Sequence, residues 1–153
     1  MEICLPLLFN LEKGFGAGTE GETGQSKTGP LVADEGEVRK FLLNYRERYN
    51  QRDMAGFLHL FSSRATQNQN QKIDDIRAIY NTFFDQSLDL RYHMEGVVIE
   101  IYQNAVEVKA YYTVDQTLKK GREKKLWAGP VRWVFVRENG ALRILRLVYR
   151  NIK

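Results

Sequence analysis

Apolar residues change their rhythm once along this chain. Val38, Phe41, Leu42, Tyr45 and Tyr49 recur at three- and four-residue steps, the single buried stripe of a helix, while Lys40, Arg46 and Glu47 fall off that stripe. Asp34-Glu35-Gly36-Glu37 precedes the stripe with the spacing of a capping box, and its acids suit the positive end of a helix dipole. A helix is predicted over residues 35–51. Asp53 then caps a second, short helix carrying Met54, Phe57, Leu58, Leu60 and Phe61. Residues 62–71 are polar, with Gln and Asn filling positions 67–70, and they read as a loop. Ile73, Ile76, Ile79, Tyr80, Phe83 and Phe84 return to helical spacing, and this third helix ends near Ser87.

Beyond Ser87 the period falls to two. Val106, Val108, Ala110, Tyr112 and Val114 alternate with Glu107, Lys109, Tyr111, Thr113 and Asp115, as in a strand with one buried face. Residues 88–102 read as a strand bent near Gly96. Residues 126–137 form another, with Gly129-Pro130 marking a bulge or bend, and residues 142–152 close the sheet. Gln103-Asn104, a charged turn around Gly121 and Asn139-Gly140 join them. The last is the strongest hairpin signal, because both of its residues tolerate positive φ. Helices followed by strands on short connections predict an α+β fold: three N-terminal helices packed on the concave face of a curved four-stranded antiparallel meander sheet.

Three segments carry a family resemblance. Tyr49-Asn50-Gln51-Arg52-Asp53 ends the long helix and leads into a short one with Phe57, Leu60 and Phe61. Residues 105–112 form the alternating strand Ala-Val-Glu-Val-Lys-Ala-Tyr-Tyr, and residues 133–144, from Trp133 to Ile144, form the closing hairpin. Together they resemble the nuclear transport factor two-like superfamily, with its SnoaL-like and ketosteroid isomerase-like relatives, over about residues 35–152. Leu142 stands where that family often has an aromatic residue. The resemblance implies a cone, a curved sheet wrapped around the first helix, with a pocket at its mouth. Its members include isomerases, dehydratases, cyclases, transport adaptors and accessory domains, so it does not select an activity.

Composition adds boundaries rather than chemistry. Residues 14–30 hold six glycines, so residues 1–33 read as a flexible lead-in to a cone domain over 34–153, as in a tethered domain. The apolar stretch at residues 3–9 is too short for a secretory core, and no run reaches the length of a membrane span. Cys4 is the sole cysteine, which rules out an intrachain disulfide. With only His59 and His93 beside it, a zinc site is not expected. No cofactor-binding motif is present.

Charge is uneven. Residues 119–153 carry eleven Lys and Arg against two acids, a net +9, while residues 1–118 carry twelve against seventeen, a net −5. Such asymmetry can mark a surface for nucleic acid or anionic lipid. No nucleic-acid motif accompanies it, and a solvated basic strand face is the simpler reading.

Candidate pocket residues are Tyr45, Tyr49, Phe57, Tyr80, Phe84, Tyr112, Trp133 and Phe135. Strict alternation from Leu142 and Ile144 also directs Arg146 inward, where it would favour a small anionic ligand. A bulge would instead return Leu147 to the core. Val134, Val136, Leu145 and Leu147 would make the outer face of the last two strands apolar, which suits a partner and a homodimer. No catalytic residue emerges. Asp115 and His93 have outward parity, His59 sits beside Leu58 and Leu60, and Asp53 has its capping role. The expectation is a non-catalytic interaction domain. The alternative is a small-molecule binder or an isomerase- or cyclase-like enzyme using the cone cavity for an apolar or anionic ligand.

Overall fold

The computed structural model describes residues 30–152. The apolar stretch at 3–9 and nearly all of the glycine-rich segment lie outside them. The elements run α1 (Glu35–Asn50), α2 (Met54–Leu58), β1 (Phe61–Gln67), β2 (Gln71–Lys72), α3 (Ile73–Gln86), β3 (Ser87–Ile101), β4 (Val106–Leu118), β5 (Lys124–Glu138) and β6 (Ala141–Tyr149).

The helices start where their caps place them. Asp34 accepts a hydrogen bond from the Glu37 amide at 2.8 Å, and Asp53 accepts one from the Gly56 amide at 3.0 Å. Asp75 reaches back to the Lys72 amide at 2.9 Å to open α3. Along α1, Val38, Leu42, Tyr45 and Tyr49 are buried, so the stripe faces the sheet as its spacing requires. The Asn50 side chain then accepts from the Tyr92 amide at 2.7 Å and ties the end of α1 to β3.

The fold is α+β with three helices on a curved, unclosed sheet, but the sheet has six strands rather than four and is mixed rather than all antiparallel. The order is β2-β1-β6-β5-β4-β3. β3 to β6 form the expected antiparallel meander, and the segment read as a loop supplies β1 and β2. β1 runs parallel to β6, and β2 folds back on it. The polar composition of β1 hid it because its polar side chains are satisfied by groups on other elements, Glu138 and Arg146 among them. Ser62 Oγ donates to Glu138 Oε2 at 2.6 Å, a bond that, with Arg64, holds the Glu138 carboxyl below its usual range. Gln67 is fully buried between Tyr80 and Gln71.

Two irregularities decide which side chains face the helices. At Gly96, φ is +63° and the β3–β4 register slips between Glu95 and Val98, which bends β3 where its glycine suggested. On β6, Val134 pairs with Arg146 while its neighbour Phe135 pairs with Ile144, leaving Leu145 as an extra residue. This bulge reverses the parity beyond Ile144. Gly129 causes no slip, since β4 and β5 pair continuously through it. It is needed instead for close approach. A Cβ there would overlap the carbonyl of Arg150, whose segment pairs with β5 through Arg150 N to Pro130 O (3.2 Å) and Ile152 N to Ala128 O (2.7 Å).

Hydrogen bonding begins slightly before the expected boundary at Asp34. Val32 donates to the Tyr102 carbonyl at 3.0 Å, and its own carbonyl accepts from Arg137 Nη2 at 2.6 Å. Arg137 also pairs with Glu37 at 2.8 Å and with the Gly140 carbonyl at 3.0 Å, so one guanidinium joins the lead-in, α1 and the closing hairpin.

Candidate functional site

The helices leave a cavity of about 200 Å³ between themselves and one end of the sheet. α1 contributes Tyr45 and Tyr49, one turn apart on the same face, and α3 contributes Ile79, Tyr80 and Phe83. From the sheet come Tyr92 on β3, Tyr112 and Val114 on β4, and Trp127 and Val131 on β5. Leu147 and Tyr149 on β6 and Asn151 complete the wall. Ile79, Phe83, Trp127 and Tyr149 are half-buried and Asn151 is exposed, which places the mouth at that edge.

Six tyrosines therefore line one small space. Tyr92 and Tyr112 stack with ring centroids 5.9 Å apart and planes at 17°, and Tyr149 meets Tyr112 edge-on at 5.9 Å. Tyr45 packs edge-on against Tyr92 at 5.6 Å and against Trp133 at 5.5 Å. Burial raises the pKa of all six phenols, so they are neutral hydrogen-bond donors at any physiological pH. Their polar atoms differ in partnership. Tyr80 Oη donates to Gln67 Oε1 at 2.8 Å, and the phenol of Tyr149 meets the Asn68 side chain. Trp127 Nε1 donates to Gln116 Oε1 at 2.9 Å. Tyr112 is 4% exposed and its hydroxyl has no hydrogen-bond partner.

The lining contains no carboxylate and no imidazole. His93 and Asp115 approach each other at 3.9 Å, but both stand more than half exposed on the opposite face of the sheet. His59 is exposed at the C-terminus of α2, and Asp53 is occupied with its cap and with Arg48 at 3.1 Å. Among the described residues no three His, Cys, Asp or Glu side chains gather as metal ligands, and no helix is long and apolar enough to cross a membrane.

Of the pocket residues taken from the sequence, Tyr45, Tyr49, Tyr80 and Tyr112 line the cavity. Phe57, Phe84, Trp133 and Phe135 lie beneath it as solid core. Phe57 packs on Tyr45, Tyr80 and Phe84 at 4.8–5.3 Å, and Phe135 packs on Phe41 at 4.5 Å. Arg146 does not enter the cavity. The bulge at Leu145 turns it outward, where Nη1 donates to Thr66 Oγ1 at 3.0 Å, and turns Leu147, assigned to the outer face, into the cavity wall.

The remaining outer-face residues form no continuous apolar strip. Val134 is buried, standing between Glu107 on β4 and Arg146 on β6, and Val136 and Leu145 are half-buried. A buried ion pair, Arg132 Nη2 to Glu107 Oε2 at 2.7 Å, lies beside them. Tyr92, Trp127 and Tyr149 were missed as lining. Parity with Leu90, Val131 and the bulge-shifted Leu147 is the signal that places them.

The sequence matches the SnoaL-like domain over residues 30–148. The chain belongs to the SnoaL-like domain family. No curated protein sequence matches it. Solved structures similar to this SnoaL-like domain include a protein provisionally named a scytalone dehydratase, from Novosphingobium aromaticivorans DSM 12444 (TM-score 0.70, 12% identity, covering 76% of this chain and 83% of that one). A nuclear transport factor two-like superfamily protein from Salmonella enterica has a TM-score of 0.67 at 15% identity over 76% and 89% of the two chains. A hexachlorocyclohexane dehydrochlorinase, LinA type 2, has a TM-score of 0.65 at 10% identity over 77% and 84%. At such identities the likeness is one of fold alone.

Proposed function

We propose that the SnoaL-like domain binds a compact, uncharged, largely apolar molecule of one or two rings in its cone cavity. The observation that carries this reading is an uncharged lining of phenols, one phenyl ring, aliphatic side chains, one indole and the Asn151 amide, which includes the unpartnered Tyr112 hydroxyl. A cavity of about 200 Å³ suits such a ligand, since an apolar cavity of about 150 Å³ accepts benzene. A buried hydroxyl without a partner costs free energy that an acceptor oxygen on the ligand would recover. An anion would find no cation in the lining, and an isolated charge in such a space is strongly disfavoured.

A dehydrochlorinase is named among the structural relatives, so the competing reading for this cavity is a reaction on the molecule it holds. Elimination or isomerisation requires a base within reach of the substrate, and the polar groups of this cavity's wall are neutral phenols, an indole and the Asn151 amide, none of them a base. The reading is therefore binding with hydrogen-bond donation rather than proton abstraction.

Titration of Trp127 fluorescence with acetophenone, ethylbenzene and benzoate tests it. Acetophenone is expected to bind about three- to tenfold more tightly than ethylbenzene, the worth of one hydrogen bond, and benzoate more weakly than either. Tyr112→Phe should bring acetophenone down to the ethylbenzene value. Tightest binding of benzoate, or no binding of any probe, would overturn the proposal.

A further inference from the structure

The β4–β5 turn stands beside the mouth of the cavity and carries most of the local charge. Within residues 119–125, Lys119, Lys120, Arg122, Lys124 and Lys125 face one acid, Glu123, and all are exposed. A chain of hydrogen bonds fixes this turn to the rim. Trp127 Nε1 donates to Gln116 Oε1 (2.9 Å), Gln116 Nε2 to Ser87 Oγ (2.9 Å), and Ser87 Oγ to the Phe83 carbonyl (2.7 Å). The Lys119 amide adds a bond to the Gln86 carbonyl at 2.9 Å. Lys125 Nζ lies 6.0 Å over the Trp127 ring. The neighbouring acids offset only part of the field. Asp89 is paired with Arg91, while Asp85, 4.0 Å from Lys119, and Asp115, 3.9 Å from His93, join Glu123 against the five cations of the turn. Two large apolar side chains are exposed at the same end of the sheet, Leu88 (39%) and Leu126 (44%).

We infer that this end of the molecule docks on an anionic lipid surface, with the basic turn against the headgroups and Leu88, Leu126 and the Trp127 edge at the acyl boundary. Charge complementarity argues for an anionic partner. The exposed leucines and the half-buried indole within the cationic patch argue for lipid over nucleic acid, whose phosphates reward cations alone. Docking so would turn the cavity mouth toward the bilayer, but the inference stands on the rim itself and does not require that the cavity take a ligand.

Co-sedimentation with phosphatidylcholine vesicles, with and without phosphatidylserine, tests this in the full chain. Binding is expected only to the phosphatidylserine vesicles, and it should fade as salt is raised. A variant carrying Lys119→Gln, Lys120→Gln, Lys124→Gln and Lys125→Gln should lose on the order of a thousandfold in partitioning while unfolding like the parent. Brominated phosphatidylcholine mixed into the same vesicles should quench Trp127, and Trp127→Phe should remove the quenching. Equal binding to both vesicles, unchanged binding by the glutamine variant, or tighter binding to a DNA or RNA duplex without quenching would overturn the inference.

Discussion

Tyr80 and Tyr112 both bring phenols to the cavity wall, yet they contribute differently to stability. Tyr80 donates to the buried Gln67 carbonyl, and the Gln67 amide is held by Gln71. Tyr80→Phe strands that oxygen in the core and should lower the unfolding free energy by about 1–3 kcal/mol in urea denaturation. Tyr112→Phe removes a hydroxyl that has no partner, so stability should be unchanged or higher by up to about 1 kcal/mol. The opposite ordering would mean that Tyr112, not Tyr80, is the structural phenol. Residue type was readable at both positions from period alone. Partnership was not, because Gln67 reaches Tyr80 only once β1 exists, and β1 needs β6, which lies about 80 residues away.

At the scale of elements, capping and amphipathic spacing made all three helices legible, and the Asn139-Gly140 turn and alternation did the same for the meander. β1 and β2 escaped because a polar strand is recognisable only by its neighbours. The bulge at Leu145 escaped because one extra residue leaves the local composition unchanged while exchanging the faces of Arg146 and Leu147. That exchange removed the cation from the candidate site. Gly129 does not mark a bulge, since β4 and β5 pair continuously through it, and its neighbourhood shows close approach instead. Gly129→Ala should therefore cost at least about 2 kcal/mol, because its methyl must displace backbone rather than a pliable side chain. Hydrogen exchange at the Ile152 amide should quicken in parallel, as its bond to the Ala128 carbonyl is lost. A variant with parental stability and unchanged exchange would show that residues 150–152 do not rest on β5.

For the whole molecule, the six phenols of the cavity, five buried and Tyr149 half-buried, make alkaline pH the expected weakness. Each has its pKa raised by burial above the ordinary phenol value of 10.0. An unfolded chain releases these protons near that value while the folded chain keeps them, so the folded state binds more protons there and stability falls as pH rises. Below pH 10 the phenols add no slope. Above it the urea midpoint should drop steadily, less steeply in Tyr49→Phe. A flat profile through that range would mean that the tyrosines titrate freely and the cavity is wet. What the sequence by itself determined here is local: helix limits, strand alternation, turns, the glycine bend at Gly96 and the pool of aromatic residues for the cone. Those follow from backbone geometry and the burial of one face, which act over a few residues. The tertiary structure alone decided which aromatics enclose empty space and which fill the core. It also decided that Arg146 leaves the cavity and that a basic turn comes to lie at its mouth. These depend on register and on contacts across the sheet, where one bulge outweighs any local preference.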